Sequence, residues 1–143
     1  MTSRQPSSDS GSVTLELAIL GPALLLLLGL VVAAGRIEVA GAAVEQAAAS
    51  AAREASIART APAARAAATS SARQSLRDQG IDCAGLDVTV DTAGFGVAAG
   101  LPARVGVSVV CSVPLGDLAI PGLPGLRRMQ AQMASPLDRY RSR

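Results

Sequence analysis

The sequence has no histidine, lysine or tryptophan, and its aromatic residues are limited to Phe95 and Tyr140. Without histidine it has no Ser-His-Asp or Cys-His nucleophile. Without lysine it has neither a Schiff-base amine nor the lysine of a phosphate-binding loop. Its two cysteines are too few for a closed zinc site. These absences argue against an enzyme and predict a protein that needs no metal and no cofactor.

The charged residues do not favour a nucleic-acid-binding protein. All 13 basic residues are arginine, 11 residues are acidic, and the net charge is only +2. With so few aromatic rings for bases to stack on, no nucleic-acid partner is expected. Five arginines near the C-terminus form either a solvated surface or a contact for anionic lipid or envelope polymer: Arg127, Arg128, Arg139, Arg141 and Arg143.

An uncharged apolar run is the strongest positive signal. Residues 17–35 carry no charge and include five consecutive leucines. As a helix, at about 1.5 Å per residue, this run is close to 30 Å long, the thickness of the hydrocarbon core of a bilayer. We therefore expect one membrane pass. Pro22 lies near its start, where the missing hydrogen bond is tolerated or bends the helix.

Glu16 stands directly before the run. A carboxylate drawn toward the bilayer centre costs up to about 2.5–3.5 kcal/mol, so Glu16 is either an interfacial charge at the helix end or a group with a cationic partner. A secretory signal peptide is a further interpretation, with small residues at 31–35 and a mature chain that starts at Gly35. The run is longer than the apolar region of a signal peptide, which usually has about 7–15 residues, and the segment before it is only weakly basic. Both features favour a membrane anchor over a signal peptide.

Gly11, the following small and apolar residues and Glu16 at the fifth position after that glycine resemble the class III signal of type IV pilins and pseudopilins. The resemblance implies cleavage by a prepilin peptidase between Gly11 and Ser12, on the cytoplasmic side, with the helix retained as the anchor. It also implies that Glu16 meets the N-terminal amine of a neighbouring subunit and registers the two in the membrane. Ser12 stands where many type IV pilins have phenylalanine.

Over residues 11–60, the order of signal, Pro22, leucine-rich span and alanine-rich helix is similar to that of TadE-like proteins of the Tad/Flp pilus system. The tail at 134–141 also resembles the tails of such proteins. The family implies a structural minor pilin or pseudopilin that takes part in assembly of an adhesion pilus. The implied partners are the prepilin peptidase, other Tad pilus subunits, the inner-membrane assembly platform and the lipid bilayer. An uncleaved membrane-anchored module that binds an envelope ligand is the alternative.

Alanine dominates the segment that follows the membrane run, and no proline occurs there before Pro62. This composition predicts a helix from Arg36 to Arg59. Its small and apolar residues recur at helical spacing, which indicates either a stalk that packs on other subunits or a solvated helix. They are Ile37, Val44, Ala48, Ala51, Ala55 and Ala58. Pro62 suits the first turn of a second helix, and Gly80 suits its end.

Alternating apolar residues then predict strands. The first contains Leu86, Val88 and Val90, the second runs from Val105 to Val113, and the third runs from Met129 to Met133, although its composition also suits a helix. A flexible connection is expected between the first two. The predicted fold class is α+β, a long transmembrane helix extended outward and followed by a small helix plus antiparallel sheet. The expected regions are a leader (1–11), an anchor (12–35), a stalk helix (36–61) and an extracytoplasmic domain (62–143).

The two cysteines, Cys83 and Cys111, are either two free buried thiols or a disulfide that staples this small domain. The bond would close a loop of roughly 29 residues, which the loop-entropy model values at about 3.6 kcal/mol. Disulfides persist in oxidising compartments. The flanking charges do not set the orientation, but a disulfide predicts a cell-membrane protein with its N-terminus in the cytoplasm and its C-terminal domain outside.

Overall fold

The structure, a computed structural model, describes residues 10–98, 100–114 and 125–138. The chain divides into two compact units, Met1–Gly35 and Arg36–Arg143. The predicted leader at 1–11 lies outside the described residues except at its last two positions. The arginines at 139, 141 and 143 lie outside them too.

Helix α1 comprises Ser10–Ile57, 48 residues, with Pro22 inside it. It ends two residues before the predicted Arg59, because the chain turns extended at Thr60 (φ −132°, ψ 153°), the N-cap of the next helix. The hydroxyl of Thr60 accepts a hydrogen bond from the backbone N–H of Ala63 at 3.3 Å. This cap and Pro62 in the first turn start the second helix where the sequence predicts it.

Helix α2 comprises Ala61–Asp78. Beyond it, Gly80 adopts a left-handed conformation with φ 68°. Its N–H donates to the carbonyl of Arg77, and the N–H of Ile81 donates to the carbonyl of Leu76, both at 2.9 Å. This pair of bonds is a Schellman motif, in which glycine avoids the steric cost of a Cβ atom at positive φ. Gly80 therefore ends the helix as predicted.

Three strands form one antiparallel sheet in the order β1–β2–β3: β1 is Gly85–Asp91, β2 is Arg104–Pro114 and β3 is Leu126–Pro136. The α+β class is thus confirmed, and the ambiguous third segment is a strand. It is longer than predicted because all 11 residues of β2 have a partner in it, from Arg104 opposite Pro136 to Pro114 opposite Leu126. Pairing with a neighbouring strand therefore decides between helix and strand where the local composition suits both.

The connection between β1 and β2, predicted to be flexible, contains a short 3-10 helix at Ala93–Gly96. The carboxylate of Asp91 accepts a hydrogen bond from the backbone N–H of Ala93 at 3.0 Å, which fixes the turn out of β1. A Cβ atom on Gly94 would overlap the carbonyl oxygen of Arg104. Glycine here lets the turn lie directly against the start of β2.

The core of the second unit is built mainly from alanine and valine. The stripe predicted on α1 lies in this core rather than on an outer surface, with Ile37 and Ala58 half-buried at its ends. The stripe is also wider than predicted, because additional alanines flank it. The buried core residues are Ala43, Val44, Ala47, Ala48, Ala51, Ala52 and Ala55 of α1, Ala64, Ala68, Ala72 and Leu76 of α2, and Val105, Val107, Val109, Cys111, Ala131 and Leu137.

A disulfide joins Cys83 to Cys111, with their Cα atoms 5.4 Å apart. Cys111 is fully buried in β2, and Cys83 is half-buried in the segment that leads into β1. Leu86 lies opposite Cys111 in the sheet, so the bond ties the segment before β1 to the centre of the sheet. It adds a covalent link to a core that contains few large side chains.

Candidate membrane anchor and processing segment

The N-terminal half of α1 exposes its large apolar side chains. Leu24 to Leu28 are consecutive, and each is 58–70% exposed. Because successive helical residues are about 100° apart, these five leucines occupy every side of the helix. A helix that is apolar all round is stable only inside an apolar environment. The segment therefore has the character of a membrane span rather than of an amphipathic surface helix.

Length and composition agree with this assignment. Within the described residues, one helix is long and apolar enough to cross a membrane, and it covers Glu16–Ile57. Its most apolar part lies near the N-terminus and is almost unburied within the chain itself. An N-terminal apolar helix of this kind can anchor the protein in a bilayer, as the sequence predicts.

Pro22 leaves α1 continuous. Because proline has no backbone N–H, the carbonyl of Ala18, four residues earlier, loses its intrahelical donor. A carbonyl without a donor is costly in hydrocarbon, whereas near the membrane surface water can serve as the donor. The position of Pro22 close to the start of the apolar run agrees with that requirement.

The predicted cleavage site lies at the N-terminal end of the described part of α1. Gly11 and Ser12 both belong to the helix, which is described from Ser10 onward. They precede Glu16 and the apolar run.

Glu16 is exposed on α1, one turn after Ser12. In the part of the chain that the structure describes, it makes no hydrogen bond or ion pair. Residues 10–35 contain no lysine or arginine, so this segment has no side chain that can neutralise Glu16. A cationic partner for Glu16 in the membrane has to come from outside the segment.

The disulfide cysteines are far along the sequence from these residues and belong to the second unit. The bond is structural, since it leaves neither sulfur as a thiolate for catalysis or metal binding. Among the described residues, no group of three or more histidine, cysteine, aspartate or glutamate side chains lies in a metal-binding arrangement.

Two surface features of the second unit escape sequence reasoning. An open polar groove runs between α1 and α2, lined by Gln46, Ser50 and Glu54 on one side and by serines and glutamines of α2 on the other. Arginines at positions 65, 73 and 77 recur along a separate face of α2, where Arg65 donates to the hydroxyl of Thr92 at 2.8 Å. Spacing along α2 could have revealed the basic face, but the groove needs the pairing of the two helices.

Comparison with known proteins adds the family. The family model described as TadE-like protein matches residues 11–53. No curated protein and no solved structure matches the chain. The matched segment starts at Gly11, contains Glu16 and the apolar run, and ends within α1. The family is structural rather than catalytic and is associated with the Tad pilus. The predicted resemblance is confirmed over residues 11–53, and there the chain is TadE-like.

Proposed function

We propose that this protein is a membrane-anchored minor pilin or pseudopilin that takes part in assembly of a Tad/Flp-type adhesion pilus. The observation that carries the proposal is the coincidence of three features at one place. The TadE-like match begins at Gly11, Gly11 and Glu16 lie on the same helix α1, and Glu16 directly precedes the part of α1 that is apolar on every side. The protein is a substrate of the prepilin peptidase and a structural partner of other Tad subunits and the assembly platform.

In this proposal the peptidase removes residues 1–11 on the cytoplasmic side and leaves Ser12 as the new N-terminus. Gly11 and Ser12 lie ahead of Glu16 and the apolar run, so a cut between them leaves the whole apolar segment in the mature chain, which supports this step. The apolar helix stays in the bilayer and holds the subunit until assembly.

Glu16 then pairs with the N-terminal amine of a neighbouring subunit. The absence of any basic side chain from residues 10–35 supports an external partner. A low dielectric strengthens the attraction between such opposite charges, and a carboxylate left alone there is penalised. The pair therefore sets the axial register of one apolar helix against the next.

The second unit lies outside the cytoplasm in this proposal. The Cys83–Cys111 disulfide supports that topology, because such bonds persist on the oxidising side of the membrane. The unit then presents contacts for the pilus or for its basal complex.

Cleavage is tested by N-terminal mass spectrometry of the full chain from membranes of cells with and without the prepilin peptidase. We expect a chain that starts at Ser12 when the peptidase is present and an intact residue 1 when it is absent. An intact residue 1 in both strains would contradict the proposal and favour an uncleaved envelope-binding module. A start at Gly35 would favour a secreted protein.

Registration is tested by Glu16→Ala, with Glu38→Ala as the matched control at another exposed glutamate of α1. Loss of one member of a buried ion pair costs about 3–5 kcal/mol, so we expect Glu16→Ala to lower the yield of assembled pili at least about tenfold. Membrane insertion should be unchanged in both variants, and Glu38→Ala should assemble normally. Normal assembly of Glu16→Ala would exclude the pairing role.

A further inference from the structure

Strand β3 forms one edge of the sheet. Among the residues that the structure describes it pairs with β2 alone, and its 11 residues make it long for an edge strand. Within the described residues, no backbone hydrogen bond joins its other side to the rest of the chain. An open edge of this length is a template for the addition of another strand.

Charges protect this edge at one end only. Arg127 and Arg128 are adjacent near the start of β3, and residues 129–136 carry no charge. Pro136 closes the other end. Natural edge strands usually carry charges, prolines or bulges that prevent pairing with another chain. The six residues from Met129 to Ala134 have none of these devices.

The two faces of β3 differ in chemistry. Met129, Ala131 and Met133 lie opposite Cys111, Val109 and Val107, so they are on the core face of the sheet. Met133 is nevertheless 39% exposed. Gln130 and Gln132 alternate with them on the other face and are exposed. The strand therefore presents an incompletely covered apolar row beside its open edge.

From these observations we propose that β3 is the docking edge for a second copy of this chain, paired antiparallel about Ala131. In that register all 11 residues of β3 have a partner. Ala131 faces its equivalent, Met129 faces Met133 of the second copy, and Gln130 faces its Gln132. The two three-stranded sheets become one six-stranded sheet whose core faces lie on the same side. The pairing goes beyond the proposed pilus role and does not rest on it.

The charge pattern favours this register. The antiparallel arrangement places the arginine pairs of the two copies at opposite ends of the joint and leaves Arg128 facing Ala134 of the second copy. Like charges directly opposite one another destabilise a sheet, and this arrangement avoids them. The apolar row becomes continuous across the joint, which covers Met133 with a methionine of the second copy.

The other edge of the sheet is a poorer match for a second copy. β1 has seven residues, so pairing it with its own equivalent about its central Val88 joins four fewer residues than the β3–β3 joint does. If β1 of one copy were added to β3 of another with both core faces on the same side, the two strands would run parallel, which is slightly less stable per residue. The β3–β3 joint has neither drawback.

Cysteine cross-linking of the full chain in its membrane tests the register. Gln130→Cys and Gln132→Cys chains, each with a different tag, are expressed together and oxidised. Residues directly opposite in an antiparallel pair lie about 4.5–5.5 Å apart between Cα atoms, within disulfide range, whereas two copies of residue 130 are diagonal and lie beyond about 7 Å. We expect the mixed pair to cross-link at least about tenfold more than Gln130→Cys alone. Trypsin then releases a linked dimer of the peptide 129–139.

Thr89→Cys mixed with Gln130→Cys is the control for the β1 edge, on the same face of the sheet. A cross-link in this mixture, equal cross-linking of Gln130→Cys alone, a cross-link to a different protein, or no cross-linked dimer would each overturn the proposal.

Met133→Arg, added to the Gln130→Cys and Gln132→Cys chains, tests the apolar row. It should reduce the cross-linked product at least about tenfold, whereas Met133→Leu should preserve it. The Cys83–Cys111 disulfide, verified by mass spectrometry, should remain in both variants and shows that the fold is intact. Undiminished cross-linking with Met133→Arg would contradict the joint.

Discussion

In the Met1–Gly35 unit the large apolar residues of the apolar run face outward, with Leu25 70% exposed and Ile19 67% exposed. In the Arg36–Arg143 unit the buried residues are small, and ten of the 17 described residues of its core cluster are alanines. The same apolar composition thus serves two opposite purposes. Bulk is useful where the solvent is lipid, and small size is useful where two helices and a sheet approach closely.

The comparison also explains why the second unit has a disulfide. Alanine contributes little apolar area when it is buried, and the largest fully buried side chains among the described residues are no bigger than valine: Val44, Val105, Val109 and Cys111. Because this core buries little apolar area, a larger share of the unit's stability comes from the disulfide, which lowers the conformational entropy of the unfolded chain. An apolar helix that can span a bilayer needs no such link when lipid surrounds it. Each of the following changes should affect one unit and spare the other.

The largest effect is expected from removal of the disulfide by Cys83→Ala together with Cys111→Ala. The 28-residue separation implies a loss of about 3.6 kcal/mol in the free energy of unfolding of the second unit. Trypsin should then cleave rapidly at arginines of α2 such as Arg73. Alkali-resistant membrane insertion should be unchanged. Ser108→Ala, on the other face of β2, is the control. Unaltered trypsin resistance in the double variant would contradict the stapling role.

A smaller effect is expected from overfilling the space that small residues leave. Ala47 is fully buried in α1, whereas Ala42 on the same helix is exposed. Ala47→Leu should lower the free energy of unfolding by about 1–3 kcal/mol, because a packed interior has no room for three more carbon atoms. Ala42→Leu should change it by less than about 0.5 kcal/mol. Denaturant unfolding in detergent measures both.

The converse prediction concerns a large exposed residue of the Met1–Gly35 unit. Leu25→Ala removes bulk from an exposed position of the first unit and should leave unfolding of the second unit unchanged. If Ala47→Leu were as harmless as Ala42→Leu, or if Leu25→Ala destabilised the second unit, the contrast between the two units would not hold.

Local residues predicted some elements well and others poorly. Pro62 and Gly80 mark the start and the end of α2 by backbone chemistry that acts within a few residues, so its position was predicted from the sequence. The length of β3 did not, because it depends on the partner strand β2. The use of the alanine stripe on α1 was not predicted either: the sequence suggested contact with other subunits or a solvated helix, whereas the structure packs the stripe into the chain's own core.

The candidate processing and registration residues stay a prediction, which rests on a different kind of signal. Gly11 and Glu16 are recognisable by their spacing before an apolar run, and that spacing is independent of tertiary structure. The partner proposed for Glu16 is not encoded nearby, because residues 10–35 contain no cation. A residue whose partner belongs to another molecule can be located from one sequence, but its contact cannot be deduced from it.

The smallest effects are expected at two glycines of the second unit, and they should have opposite signs. Gly80 has φ 68°, so Gly80→Ala should lower the free energy of unfolding by about 1 kcal/mol through backbone strain. Gly41 lies inside α1, and nothing is within 4 Å of an added Cβ atom. Gly41→Ala should therefore raise the free energy of unfolding by about 0.5–1 kcal/mol, because alanine restricts the unfolded chain and favours the helix. Calorimetry or denaturant unfolding distinguishes the two shifts. A loss of stability in Gly41→Ala would mean that this face of α1 is already in close contact with another surface, as in an assembled pilus.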